Sequence, residues 1–386
     1  MRYTVTLTLD SPALVGDRRE PSAYFLPSRD FIPGGVLRAA FARAITENCP
    51  YYTDGERLHW VRFADGPDCQ ACSWRGLCAS FAGLRFSHLY KDGARVAPLT
   101  AYRCKFDGNH PVFDTLLGIG EPRCPACGMR AERFKGYLDA GYREVSVARR
   151  LVMRLAVDPY RGVTQDRYLY ALRVLEKGQT FRGWLAIPEG AGPIPAPTEL
   201  RLGAKTTVGL GRATVRFERA GVPDSGDLRR RIARFQEKAR NRLERSGEGE
   251  TEGYTYFSLT LLADVLPERV LAPRSERVPT ATLRQELAQA ILPFGSPLVG
   301  RGVEAVKVVV DFKVYGGYCT AERGYGRREA ALHIAAGSVF LYRVRGALDD
   351  GLLQSLQLLE EQGVGAKTED GYGAVCICDR FHLEEG

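Results

Sequence analysis

Seven candidate ligands fall within 59 residues: Cys69, Cys72 and Cys78, followed by Cys104, His110, Cys124 and Cys127. Cysteines two residues apart can turn both thiolates toward one cation, and four such ligands satisfy a tetrahedral zinc ion. One cation cannot use all seven. Spacing alone leaves the grouping open between a single Cys69/Cys72/Cys124/Cys127 site and two separate sites, with Cys49, His59 or His88 completing the set that holds Cys69, Cys72 and Cys78. The expected cofactor is zinc, one or two ions, in preference to an iron–sulfur cluster. A closed four-ligand site folds a loop-rich segment and supplies no catalysis. Cys319, Cys376 and Cys378 lie near or in strand-like runs and read as buried small apolar side chains.

Groups suited to acid–base chemistry are scarce. The chain has five histidines, none before His59. His333 stands in an apolar run and reads as a core or interface residue, and His382 lies in the tail.

A second pattern concerns phosphate. Gly203-Ala204-Lys205-Thr206-Thr207-Val208-Gly209-Leu210-Gly211 recurs 162 residues later as Gly365-Ala366-Lys367-Thr368-Glu369-Asp370-Gly371-Tyr372-Gly373, with six of nine positions identical. Each copy leads into a β-rich closing segment, so the pair indicates a duplicated domain. Glycines free to take positive φ let a loop bring its backbone N–H groups against a phosphate. Lys205, Arg212 and Lys367 would add charge. Neither copy is a Walker A loop, because Ala204 and Ala366 precede the lysines, and neither completes a dinucleotide fingerprint. The competing reading is a tight turn that closes each domain.

Composition agrees with an anionic partner. The net charge is +8, carried by 45 Arg against 9 Lys. A planar guanidinium bonds phosphate bidentately and sheds water more readily than an ammonium, which suits RNA. No run is long and apolar enough for a membrane helix. The opening alternation of Val5, Leu7 and Leu9 with Thr4, Thr6 and Thr8 is that of a half-buried strand rather than a signal peptide, so a cytoplasmic protein is expected.

The elements that must position these residues give an α+β chain of two domains. A first domain spans 1–220, with a helix after Pro33-Gly34-Gly35 and a Cys-rich insertion over 49–136. Strands are expected over 144–157, 168–175, 180–187 and 212–217, with a Pro-rich connection at 188–197. A basic helix and linker span 221–253, the helix running over 227–245. The second domain, 254–386, opens with a strand over 254–262. A helix at 280–292, a strand at 304–314, a hairpin or continuous strand at 330–345, a helix at 348–362 and a closing strand at 374–378 follow.

At this point the residues resemble a known family. A glycine-rich loop before the last strand of each duplicated half, with Ile32-Pro33-Gly34-Gly35-Val36-Leu37-Arg38 opening the first helix, is similar to the RAMP superfamily of CRISPR proteins. Its subunit in type III-D effector complexes is resembled by Pro98-Leu99-Thr100-Ala101, Cys104-Lys105, His110 with Val112-Phe113-Asp114, Cys124-Pro125-Ala126-Cys127-Gly128 before Gly136-Tyr137, and Ala335-Ala336-Gly337-Ser338-Val339-Phe340. The likeness covers nearly the whole chain. Tyr318 stands where that family usually has Trp, the Lys-Thr pairs replace a commoner Arg-Ser, and Cys69, Cys72 and Cys78 are an addition.

The resemblance implies two tandem ferredoxin-like (RRM-like) domains and a non-catalytic subunit that holds crRNA, at its 5′ handle, and caps the complex. Implied partners are crRNA, other RAMP subunits and the large signalling subunit, with target RNA reached indirectly and no membrane. RNA contacts are expected at Arg38, Lys205, Gly209, Gly211, Arg212, Lys367, Gly371, Tyr372 and Gly373. The resemblance also favours Cys104, His110, Cys124 and Cys127 as one metal set. Two alternatives carry catalysis: a target-RNA-cleaving backbone subunit using Asp17 or Asp30, and a ribonuclease that processes pre-crRNA.

Overall fold

The structure, a computed structural model, describes residues 1–16, 25–47, 49–52, 61–118, 120–157, 160–162, 164–192, 194, 198–221, 225–246, 252–268, 279–293, 296–319 and 326–384. Asp17, His59 and most of the 246–253 linker lie outside them, as do the side chains of Tyr318 and Cys319. Six helices are described: α1 (Gly34–Glu47), α2 (Arg75–Ala79), α3 (Ser225–Ser246), α4 (Thr280–Ala290), α5 (Pro297–Gly300) and α6 (Asp350–Gln362).

The alternating opening residues form the strand Arg2–Leu9, which buries Val5, Leu7 and Leu9 on one face. It pairs antiparallel on both sides, with Val5 opposite Gly183 on one flank and Phe217 on the other. The order across this six-stranded sheet is Thr198–Arg201, Arg212–Arg219, Arg2–Leu9, Thr180–Ala186 and Arg85–Phe86, with Tyr90–Lys91 also pairing with Thr180–Ala186. Leu37, Phe41 and Ile45 recur at helical spacing and turn the buried face of α1 onto it. Phe41 meets the rings of Phe86 and Phe217 at 5.4 and 5.6 Å.

In the second half Tyr254–Leu261 is followed by α4, α5, Glu304–Val309, the paired strands Phe312–Cys319 and Gly326–Ile334, then Val339–Arg345, α6 and Val375–Ile377. Its sheet runs Glu304–Val309, Val339–Arg345, Tyr254–Leu261 and Val375–Ile377, antiparallel throughout. Asp349 caps α6 by accepting a hydrogen bond from the Leu352 N–H at 2.6 Å.

Several expected elements divide differently. The run 304–314 breaks into Glu304–Val309 and Phe312–Cys319, which join different sheets. Likewise 330–345 is neither a hairpin nor one strand: Gly326–Ile334 pairs with Phe312–Cys319, whereas Val339–Arg345 joins the main sheet. A turn at Gly337, with φ +85°, separates them. Among the described residues no α-helix follows Thr180–Ala186 in the first half.

Two segments expected outside the second domain, the basic helix and the Cys-rich insertion of the first domain, contribute to the second core. α3 carries Arg229, Arg230, Arg234, Arg240, Arg242 and Arg245 outward, but its stripe Leu228, Ile232, Phe235, Ala239 and Leu243 is buried in that core. Arg231 is held between Glu360 and Asp227 at 2.9 Å each. The Cys-rich insertion behaves similarly. Leu116 belongs to the second-half core, and its carbonyl accepts a bond from Lys307 Nζ at 2.7 Å. Leu99 N–H donates to Gly337 O at 2.7 Å, and Phe381 packs with Ala97, Ala101, Phe134 and Leu138. The insertion interrupts the first half in sequence and joins it to the second in space.

Candidate metal centre and nucleic-acid interface

Cys104 ends the strand Ala101–Cys104, whose neighbours in a small sheet are Phe113–Asp114 and Ala131–Arg133. That ribbon brings two distant parts of the insertion together. The ligand atoms of Cys104, His110, Cys124 and Cys127 all lie within 4.8 Å of one another. Cys104 Sγ is 3.7 Å from Cys127 Sγ, and Cys124 Sγ is 3.4 Å from His110 Nδ1. The other ring nitrogen, His110 Nε2, faces Asp107 Oδ2 at 3.4 Å, the arrangement by which a carboxylate orients a ligating imidazole. A hydrogen bond from the Phe106 backbone N–H, opposed by burial and aided by His110, lowers the Cys104 thiol to about 6. For Cys127, burial and the Cys124 and Cys104 thiols outweigh a Met129 N–H bond and raise it. Three thiols and an imidazole converging at this range fit the donor set of a structural zinc site.

The grouping excludes the Cys69/Cys72/Cys124/Cys127 alternative, since Cys124 and Cys127 close with Cys104 and His110. Among the described residues, Cys69, Cys72 and Cys78 form no second group of this tightness. They remain electrostatic neighbours: burial first, then Cys49, Cys69 and Cys72, push the Cys78 thiol up to about 11. His88 is not available as their fourth ligand. Its Nδ1 accepts the Gly34 N–H at 3.0 Å, and burial lowers the ring to about 4. Cys378 is fully buried and Cys376 partly so, as expected.

The two glycine loops share one backbone. Lys205 and Lys367 both take the left-handed conformation, at φ 61°, ψ 32° and φ 62°, ψ 33°, which is unusual for a residue with a Cβ. Each loop is stitched to the segment after its half's opening strand by matching bonds. Ala204 N–H donates to Leu14 O and Ala366 N–H to Leu266 O, while Gly211 N–H donates to Pro12 O and Gly373 N–H to Asp264 O. A Cβ at Gly211 or Gly373 would come within 1.9 Å of a carbonyl oxygen, so both positions demand glycine.

Their surroundings differ. In the first copy Gly203, Lys205, Thr207, Val208, Gly209 and Arg212 are exposed, and a Cβ at Gly209 would meet nothing within 4 Å. The Arg43 guanidinium donates to Thr206 Oγ1 at 3.1 Å, and Arg43, Arg201 and Arg212 line an adjoining 450 Å³ cavity together with Glu47 and Glu199. The second copy is pressed against the first half. A Cβ at Gly371 would lie 2.6 to 2.8 Å from His88 and Phe86 O, and one at Gly34 would lie 2.4 Å from Asp370 O. Arg38 donates to Leu84 O at 2.9 Å and faces Asp370 at 3.9 Å. Tyr372 packs between His88 and His333 at ring distances of 5.5 and 5.7 Å. Arg38, Gly371 and Tyr372, expected at RNA, are therefore engaged in joining the halves, and Gly373, also expected there, is held within the second half by Asp264 and Val364. Lys367 is exposed at their edge.

Of the two candidate acids, Asp30 is bound by Arg149 through both oxygens, at 2.9 and 3.2 Å. His333 sits among Tyr315 and Tyr372, as an interface residue should. Periodicity gave no sign of two other sites. Asp264, 5% exposed, accepts bonds from Lys313 Nζ, Tyr315 OH and Ala336 N–H at 3.0, 2.6 and 2.7 Å. His382, fully buried, lies with Nδ1 3.0 Å from Asp114 Oδ2 and Nε2 2.8 Å from Thr260 Oγ1. The Nδ1 approach is off the hydrogen-bond direction, so the contact acts as an ion pair.

Among the described residues no helix is long and apolar enough to cross a membrane. No family model matches the sequence. No curated protein matches it either. Among solved structures, the chain is similar to one in "Cryo-EM structure of the Type III-B Cmr-beta bound to cognate target RNA and AMPPnP, state 1", at 12% identity over 88% of this chain and 86% of that one, with a TM-score of 0.42. The corresponding structure bound to cognate target RNA gives 11% identity, the same coverages and 0.43. A chain of a "Type IV-B CRISPR Complex" gives 12% identity over 58% of this chain and 95% of that one, with 0.29. Likenesses of this degree identify neither fold nor role.

Proposed function

We propose that this chain is a non-catalytic crRNA-binding subunit of a type III CRISPR ribonucleoprotein, of the III-D kind that its motifs resemble. It consists of two ferredoxin-like units and grips the 5′ handle of the guide while docking against other RAMP subunits and the large signalling subunit. Target RNA is met only through the guide. The observation that carries this reading is the asymmetry of the duplicated loop. One copy seals the two halves together, and the other keeps the same left-handed lysine and glycine backbone exposed beside Arg43, Arg201 and Arg212. A strained, solvent-facing duplicate of a structural loop, with three guanidiniums and two carboxylates beside it, suits a phosphate backbone.

Support for the ferredoxin-like units comes from the second half, where the strand order places the first and third strands in the centre with the second and fourth at the edges. Cys104, His110, Cys124 and Cys127 would hold zinc, which when bound supplies a cross-link between the strands of the insertion. The role is structural because the insertion carries the contacts between the halves. The engagement of Asp30 by Arg149 argues against a cleaving acid there.

The test is co-expression with a matching CRISPR array and candidate partner subunits, followed by sequencing of bound RNA. Discrete guides sharing a 5′ handle are expected, with recovery falling in a Lys205→Ala/Arg212→Ala variant that remains folded. Recovery of the protein without enriched guides in every combination would refute the reading.

A further inference from the structure

A cleft of about 580 Å³ opens between residues 27–31, Tyr137, the paired strands Arg149–Val157 and Thr164–Leu175, and the strand Phe312–Cys319 of the second half. Its lining holds four cations, Arg29, Arg149, Arg173 and Lys313, and one carboxylate, Asp30. Asp30 is already bound through both oxygens by Arg149. The buried Asp264 anchors Lys313 and Tyr315 from beneath, which fixes one wall. That wall also carries Phe312, an aromatic ring left 41% exposed beside the lysine. Arg29 lies over the rings of Phe31 and Tyr315, at 5.6 and 5.2 Å.

This composition discriminates among ligands. Phosphate or sulfate alone needs cations and no exposed ring. An apolar peptide would not select four cations. Positive charge interleaved with aromatic faces suits a chain that alternates phosphates with flat bases, and only unpaired bases can present their faces for stacking. We infer that the cleft between the first-half strand pair and the Phe312–Cys319 strand is a second nucleic-acid site, taking a single-stranded RNA segment with a base against Phe312 and a phosphate at Arg173. The inference rests on the RNA-binding reading above but involves neither glycine loop. The cleft is built from both halves.

The test uses the full chain and a fluorescent single-stranded RNA oligonucleotide, with affinity followed by anisotropy from low to high salt. Phe312→Ala, at an exposed position, should weaken binding roughly tenfold without altering the salt slope, as loss of one stacked base does. Arg173→Ala should lower the slope of log affinity against log salt by about one. Unchanged thermal unfolding of both variants keeps the comparison one of binding. Wild-type RNA binding that falls in Lys205→Ala but is untouched by Phe312→Ala and Arg173→Ala would overturn the cleft site alone. No RNA binding by the wild type would overturn the functional reading together with it. Adenosine monophosphate binding as tightly as the oligonucleotide, with the same dependence on Phe312, would show a free-nucleotide pocket and overturn the strand. Tighter binding of an acidic peptide than of RNA would overturn it in favour of a protein ligand.

Discussion

Replacing His382 with alanine would leave Asp114 buried without its cation. The two side chains are far apart in sequence, and their exposures are 0% and 6%. Removing one partner of a buried ion pair costs about 3–5 kcal/mol, chiefly because the remaining charge is desolvated and uncompensated. Asp114 would keep bonds from Thr100 Oγ1 at 2.6 Å and Leu116 N–H at 3.2 Å, which places the cost near the lower end. A loss of about 3 kcal/mol, on the order of a hundredfold in the folding equilibrium, is expected from denaturant unfolding of His382→Ala. The pH dependence has a definite sign. Burial lowers the pKa of His382, but Asp114 outweighs it and the net shift is upward; burial raises Asp114, but His382 outweighs it and the net shift is downward. The histidine's contribution is complete below its unfolded value of about 6.5 and vanishes as pH rises through its higher folded value. The aspartate's contribution is complete above about 3.9 and vanishes as pH falls through its lower folded value. The difference between wild type and variant should therefore be largest near pH 5 to 6 and shrink toward pH 9. A difference that is flat across that range, or below about 1 kcal/mol at pH 5.5, would refute the pairing as the stabilising contact.

Cys124→Ser should abolish binding of one metal equivalent, read by elemental analysis, and expose the insertion to protease while leaving the first sheet protected. Gly371→Val should destabilise the junction of the halves, because its Cβ would meet His88 and Phe86 at under 3 Å, and thermal unfolding would separate into two transitions. Gly209→Val meets no such neighbour, so apart from about 1–2 kcal/mol of left-handed strain it should alter guide retention more than stability. Asp30→Ala releases a surface-exposed ion pair and should cost no more than about 1 kcal/mol, with no change in any RNA cleavage by the assembled complex.

Much that is local in sequence was legible there. The opening strand, the two loops and their common backbone follow from alternation and from glycines at positions where any Cβ would strike a carbonyl. The metal set needs ligands only 23 residues apart, from Cys104 to Cys127, so spacing and resemblance together could nominate it. The destination of each element was not legible. The run of arginines marked α3 as a basic helix but gave no sign that its apolar stripe enters the second core. The apolar run 304–314 carried no mark where it changes sheets, because a strand's alternation records which face is buried and not its partner. Two nearly identical loops cannot reveal which is covered, since burial depends on residues such as Gly34, Arg38 and His88 that arrive from elsewhere. Asp114 and His382 become a pair only because the insertion folds across both halves. Side-chain chemistry and local backbone preference thus set what each segment could be, while the joining of the two halves decided which glycine loop, which cysteines and which acids were left to face a ligand.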